Sequence, residues 1–257
     1  MCGVQSCIWE DREQCPSFLS LDFSGTPEEV ERIYLVLTHQ DGWTCRDTLL
    51  QEDFGKGYEI AVKRGPVRLA AFGNISRMIY DSGYTVRTGD QADSIYTCFL
   101  DTDCRTDLAN DTVRMHKDFI GLHIRVLEDM LGSDSIYLSI TSSSIGYDTG
   151  GEIIEGKFLH IPQEVPDTRN GSGYRQYISR VTRQRDSSLT LSINTVNGDH
   201  NGPVTVIGLA RSLEEAGIDM EAEDLGDLYL TVDFAKSVIK VSPLDWNNIN
   251  NTIEIEL

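Results

Sequence analysis

The stretch Ile120–Val126 (IGLHIRV) alternates strictly between apolar residues and other residues, and this alternation decides the fold class. Its apolar positions are Ile120, Leu122, Ile124 and Val126. A period of two is typical of a strand that has one face on a core and one face towards solvent. The stretch therefore predicts a half-buried β-strand.

The same alternation recurs along the chain, and turn pairs such as Asp41-Gly42 and Asn170-Gly171 separate the segments. The other alternating segments are 58–62, 67–71, 136–140, 189–193, 228–234 and 253–257. Ile33–Leu37 is a continuous apolar run, as in a central strand. A helical pattern is sparse: it predicts one short helix at 206–216 and a further turn at 27–32. Many short strands with turns between them predict an all-β protein made of sandwich domains with few short helices.

The polar stretch Asp101–Thr112 (DTDCRTDLANDT) lacks an apolar period and is the predicted linker. It divides the chain into an N-terminal sandwich at 16–112 and a C-terminal sandwich at 113–257, both of usual domain size. The predicted core residues are Ile33, Leu35, Leu37, Leu69, Leu122, Ile124, Leu138, Leu191, Leu230 and Val232. Trp246 is predicted to be largely buried, because an aromatic residue at the end of a strand series typically closes a sandwich edge.

Charge and motif content exclude several classes of function. The net charge of −19 repels phosphate backbones, so the sequence predicts no nucleic-acid partner. The sequence contains no P-loop, no H-E-x-x-H, no G-x-S-x-G and no G-x-G-x-x-G. Asp101, Asp103 and Asp107 resemble part of a calcium loop, but Arg105 and Thr106 stand where an oxygen ligand and glycine are needed. We expect a protein with no enzymatic activity, no catalytic residues, no metal and no other cofactor.

One glycan-binding alternative rests on aromatic residues. Tyr174 and Tyr177 flank Arg175, and together they could form a platform for a sugar ring. Packing within a strand is the competing interpretation, because strands favour tyrosine.

The six cysteines are Cys2, Cys7, Cys15, Cys45, Cys98 and Cys104. None forms C-x-x-C, and none has histidines at the spacing of a zinc site. They are either free thiols in a reducing compartment or partly bridged in an oxidising one.

Three segments together resemble the FimB-type family of fimbrial anchor and minor-subunit lipoproteins. The first is Cys7–Pro16 (CIWEDREQCP), followed by an apolar strand at 18–23. The second is Val67–Asn74 (VRLAAFGN), which ends in an aromatic-Gly-Asn turn. The third combines Met115–Phe119 with the strand at 228–234 and with Asp245-Trp246.

The resemblance implies a protein of two tandem transthyretin-like, Greek-key β-sandwich domains that forms part of a type V pilus. Residues 1–15 would be a signal-peptide remnant and a tether, with Cys7 as the lipid attachment site. The protein would then be anchored in the outer membrane through lipid, exposed on the cell surface, and partnered by other fimbrial subunits. It would be an anchor or a minor subunit. A surface glycan-binding module remains the alternative function.

Export through this route would leave four cysteines for possible disulfides: Cys15, Cys45, Cys98 and Cys104. Four cysteines allow three connectivities. A short loop between Cys98 and Cys104, with Cys15 paired to Cys45, is one of them. Free buried thiols are the other possibility.

Partners are expected to bind by β-strand addition, because an open sheet edge presents unpaired N–H and C=O groups. The alternating C-terminal segment containing Ile253, Ile255 and Leu257 is the predicted strand-exchange edge. An ordinary internal strand is the competing interpretation of that segment.

Overall fold

The computed structural model describes residues 15–77, 83–127, 135–165, 173–197, 200–215, 219–233, 238–242 and 253–256. Strands dominate these residues, and one short α-helix accompanies them. This arrangement confirms the all-β class that the period-two alternation predicts. The described residues within 1–73 and 97–115 form one compact unit, and those within 74–96 and 116–257 form a second.

The chain-order bounds of the elements are as follows. In the first part of the chain they are β1 (Ser17–Asp22), β2 (Arg32–His39), β3 (Thr44–Leu50), a 3₁₀ turn (Gln51–Asp53), β4 (Tyr58–Val62), β5 (Pro66–Gly73), β6 (Tyr84–Thr85), β7 (Tyr96–Asp103), β8 (Leu108–Thr112) and β9 (His116–Lys117). Further on they are β10 (Phe119–Leu127), β11 (Ser135–Tyr147), β12 (Ile153–His160), β13 (Glu164–Val165), β14 (Tyr174–Thr182), β15 (Thr190–Asn197), β16 (His200–Gly208), α1 (Leu209–Glu215), β17 (Leu228–Asp233), β18 (Val238–Ser242) and β19 (Ile253–Glu256).

The first unit contains two sheets whose inner faces supply its core. One sheet has the order β4-β1-β8, and the other runs β3-β2-β5-β7. β2 lies between β3 and β5, with Leu35 opposite Asp47 on one side and Ala71 on the other. Leu35, Val36 and Leu37 point alternately to opposite faces and are all at most 2% exposed, so both faces of β2 are covered there, which explains its continuous apolar run.

The second unit also contains two sheets. The order β13-β14-β10-β17-β18-β19 describes the larger one, and β12-β11-β15-β16 the smaller, with β6 paired to β11. One apolar cluster takes side chains from both sheets, including Ile124 of β10 and Leu191 of β15, each fully buried. The alternating residues of Ile120–Val126 therefore face this cluster, as their period predicts.

All ten predicted core residues are buried, at 2% exposure or less. The prediction succeeds because the inward positions of an alternating strand are fixed by its own pattern. Trp246 lies outside the described residues, so its burial stays a prediction.

The predicted linker at 101–112 is wrong. β7 continues to Asp103, and β8 occupies Leu108–Thr112 as a parallel neighbour of β1. β8 lacks a strong apolar period because it is an edge strand of a small sheet, where only Ala109 is buried. The predicted helix is shorter than expected: 206–208 complete β16, and α1 begins at Leu209.

The segment 74–96 leaves the first unit after β5 and belongs to the second. Its β6 pairs with β11 at very close range, because Gly83 and Gly146 lack side chains at the crossing. A Cβ on Gly146 would lie 1.9 Å from Tyr84 O, and one on Gly83 would lie 2.0 Å from Tyr147 O. Both glycines also have positive φ values, of 154° and 106°. The sequence-based domain bounds of 1–15, 16–112 and 113–257 remain a prediction.

Candidate functional site

Open sheet edges are the candidate functional site of a protein expected to assemble by strand addition. β19 is the last strand of the six-stranded sheet and pairs with β18, with Ile255 opposite Ile239 and Ile253 opposite Val241. Among the described strands no other one pairs with β19. Ile253 and Ile255 therefore lie on a strand at a sheet edge, and Leu257 lies outside the described residues. Strand exchange by this segment remains a prediction.

A second edge lies in the first unit, at β8. Phe18 of β1 and Leu108 of β8 are register partners, and 44% and 49% of their surfaces are exposed. These two neighbouring side chains form a small exposed apolar patch beside the unpaired edge of the sheet. Sequence reasoning missed this edge, because Leu108 lies in the stretch interpreted as a linker. The two apolar residues Leu108 and Ala109 stand alone in a polar stretch, which is too short a pattern to indicate a strand.

The four described cysteines are all free thiols, so the predicted disulfides are not formed. For Cys98 and Cys104 the reason is geometric. Cys98 lies within β7, and Cys104 directly follows its end. Six residues of extended strand span roughly 20 Å, far beyond the roughly 7 Å between Cα atoms that a disulfide tolerates. Cys15 precedes β1 and Cys45 lies on β3, in different sheets of the first unit.

Burial governs the chemistry of two of these thiols. Cys98 is 6% exposed and Cys104 is fully buried. Desolvation raises the pKa of the Cys98 thiol, with a smaller contribution from the nearby Asp111 carboxylate. Desolvation likewise raises the pKa of Cys104, and Asp103 and Asp111 add to it. Because the thiolate is the nucleophile, both residues are suited to packing rather than to reaction.

The predicted tyrosine platform does not form. Tyr177 is 3% exposed and belongs to the core cluster, where it lies opposite Ile124 of β10. Tyr174 is three positions away, so it lies on the other face of β14, where Arg125 stacks on its ring at 4.6 Å. Period-two geometry alone could have shown this, since residues an odd number apart on a strand face opposite ways.

Two searches of the described part of the chain were negative. No group of three or more His, Cys, Asp and Glu side chains there is arranged to hold a metal ion. No helix among those residues is long and apolar enough to cross a membrane. Cys7, the predicted lipid attachment site, lies outside the described residues, and its modification stays a prediction.

Comparisons by sequence found no family model that matches the chain and no curated protein that matches it. Comparison of structures is more informative. The fimbrial anchor protein Mfa2 from Porphyromonas gingivalis is similar over 90% of this chain and 98% of its own, with a TM-score of 0.65 and 12% identity. A candidate adhesin from Bacteroides ovatus is similar over 88% of this chain and 93% of its own, with a TM-score of 0.64 and 12% identity.

A candidate polysaccharide-binding protein from Bacteroides thetaiotaomicron is similar over 93% of this chain and 98% of its own, with a TM-score of 0.66 and 9% identity. These alignments cover both units described above. Sequence identities this low show a shared fold and not a shared function, because one fold can carry many functions. The resemblance predicted from three sequence segments is thereby confirmed, and the chain has the fold of the fimbrial anchor and adhesin-like proteins.

Proposed function

We propose that this protein is a cell-surface fimbrial component, an anchor or minor subunit held by lipid on Cys7 and joined to other subunits by strand addition. The observation that carries the proposal is the fold shared with a fimbrial anchor protein along nearly the whole of both chains. Such agreement over two units supports a common assembly role better than a match to a single sandwich would.

The edge position of β19 supports strand addition. An edge strand presents a row of backbone donors and acceptors that a strand of another subunit can satisfy. Because β19 is short and pairs only with β18 among the described strands, it could also leave this edge and add to a sheet of another subunit. Either route recruits a partner through main-chain hydrogen bonds, with alternating side chains supplying specificity.

Lipid attachment at Cys7 is the second element of the proposal. A diacylglycerol thioether with an N-acyl chain would place at least two acyl chains in the membrane. Each buried methylene contributes about 0.8 kcal/mol, so two chains hold a protein stably where one does not. The polar segment from Glu10 to Gln14 would then separate the lipid from β1.

A pair of substitutions at one edge position tests strand addition. Ile255→Pro removes a backbone N–H from β19, whereas the matched Ile255→Val keeps the donor and the strand propensity. We expect the proline variant to be strongly depleted from isolated fimbriae and the valine variant to be incorporated normally. Deleting 252–257 should act like the proline. Normal incorporation of the proline and deletion variants would overturn strand addition through β19.

The anchoring element is tested separately in the full precursor. Cys7→Ser should release the protein into the medium. Cys15→Ser is the matched control, because Cys15 is the next cysteine along the chain and is not the predicted attachment site, so this variant should stay in the membrane fraction. Mass spectrometry of the parent protein should show the added lipid mass. Membrane retention of Cys7→Ser together with an unmodified parent mass would contradict lipid anchoring and leave the strand-addition test untouched.

A further inference from the structure

A cleft of about 520 Å³ lies in the second unit, beside the segment that crosses there from β5. Two backbone hydrogen bonds tie this segment to one strand of each sheet. Gly89 N donates to Leu159 O at 2.9 Å on β12, and Ala92 N donates to Arg180 O at 3.0 Å on β14. The walls of the cleft are therefore set by the fold rather than by a free loop.

Three guanidinium groups line this cleft, from Arg77, Arg87 and Arg180. Arg180 donates through Nε to Ala92 O at 3.0 Å, which fixes the plane of its guanidinium. Within the described residues none of the three forms an ion pair with a carboxylate. Arginines without a carboxylate partner are unexpected in a chain of net charge −19. Elsewhere, Arg68 forms an ion pair with Asp101, and Arg183 forms one with Asp118.

The acidic side chains of the cleft do not neutralise these arginines. Asp93 Oδ2 accepts from Ser76 N at 2.8 Å and from Ser76 Oγ at 3.0 Å, so uncharged donors already engage this carboxylate. Asp90 is exposed. Among the described lining residues, three arginines against two aspartates give an excess of positive charge, which favours an anionic ligand.

Two other side chains in the cleft, those of His160 and Gln91, suit a ligand that also carries hydroxyls. His160 Nδ1 lies 2.9 Å from Gly89 O, and since a carbonyl oxygen only accepts, Nδ1 carries the proton and Nε2 is left for other partners. Gln91 lines the same cleft, and its side-chain oxygen is buried without a donor among the described residues. Buried acceptors normally find a donor, so this oxygen is available to accept a hydrogen bond from a ligand hydroxyl.

We propose that this cleft binds an acidic saccharide, with the sugar carboxylate held by the arginines and its hydroxyls by His160 and Gln91. A guanidinium matches a carboxylate with two parallel N–H···O bonds, which a single lysine ammonium does not offer. The volume falls in the range of small-ligand sites and admits one or two sugar rings. This binding is independent of any role in fimbriae.

Calorimetric titration of the full chain tests the site with oligogalacturonate and a hyaluronan tetrasaccharide as acidic probes. The methyl ester of the oligogalacturonate is the matched neutral probe, and acetate is the probe for a simple anion. We expect at least one acidic saccharide to bind, with affinity about tenfold or more above that of its neutral ester and of acetate. Added salt should weaken the binding.

Substitutions locate the binding. Arg87→Gln and the double change Arg77→Gln with Arg87→Gln alter exposed side chains that make no ion pair in the described structure, so they should leave folding intact and weaken binding by about tenfold or more. Arg185→Gln, on an exposed arginine outside the cleft, should not change it. The proposal would be overturned if neither acidic saccharide bound, or if the ester or acetate bound as tightly as the acidic saccharide. Unchanged binding by the double variant would also overturn it.

Discussion

Arg183 and Asp118 form an ion pair in the second unit, with Arg183 Nη2 2.6 Å from Asp118 Oδ1 and side-chain exposures of only 17% and 8%. The same guanidinium donates to the carbonyls of Met220, Ala222 and Glu223. The Arg183 side chain thus holds the loop 220–223 against the end of β14. A buried pair of this kind costs free energy to desolvate, but breaking one half leaves the other charge unpaired.

Replacing Arg183 should therefore destabilise the second unit strongly. We expect Arg183→Met to lower the free energy of unfolding by about 3–5 kcal/mol, because the buried Asp118 carboxylate would lose the Arg183 guanidinium and three carbonyls would lose their donor. Urea denaturation at neutral pH measures the change. Arg185→Met is the control: its side chain is 61% exposed and 3.9 Å from Glu155, so its loss should cost less than about 1 kcal/mol. Equal effects of the two changes would contradict the structural role of the buried pair.

Asp41 should make the first unit sensitive to acid. The hydrogen bond from Lys63, and after it those from His39 and the Trp43 N–H, hold the pKa of Asp41 well below its usual value of 3.8. The carboxylate therefore contributes stability that is fully present above pH 3.8 and is lost as the pH falls below it towards the lowered pKa.

We expect Asp41→Asn to lower the denaturation midpoint at neutral pH and to have a smaller effect at acid pH, where the parent protein has lost the same contribution. Glu59→Gln is a matched control, because Glu59 is exposed on β4 and makes no ion pair within the described residues. Denaturation curves across the acid range measure both variants. A difference between parent and Asp41→Asn that stays constant down to strong acid would count against this prediction.

The four described thiols should differ in their rates of alkylation. Cys98 and Cys104 are buried and have raised pKa values, so little thiolate is present and a reagent reaches them slowly. Cys15 and Cys45 are partly exposed and should react faster. Timed iodoacetamide labelling of the native protein without reductant, followed by peptide mass spectrometry, measures each site.

In denaturant all four thiols should label at similar rates, which provides the internal control. Fast labelling of Cys98 or Cys104 in the folded protein would show that β7 is opened more readily than its burial indicates. A recovered Cys98–Cys104 cross-linked peptide would require the end of β7 to unfold, because the extended strand keeps the two residues apart.

Much of the fold follows from sequence patterns that depend on neighbouring residues alone. The inward positions of β10, such as Leu122 and Ile124, are set by alternation along a single strand. The apolar run of β2 indicates a strand covered on both faces, and the burial of Leu35, Val36 and Leu37 agrees with it. Candidate site residues were less predictable: the terminal alternation correctly marked a strand at Ile253, but its edge position depends on which strands pair with which.

The sequence by itself determined the all-β class, the core faces and the resemblance to fimbrial proteins, because these depend on local period and on short motifs. Tertiary structure alone decided that β8 pairs with β1, and which face of β14 is covered by the core, so that Tyr177 is the buried one of the two tyrosines. It also decided that the segment 74–96 belongs to the second unit, where it brings Arg87 beside Arg180. These features join residues far apart in the chain, and such pairings are chosen by packing and backbone hydrogen bonding of the whole fold rather than by any local pattern.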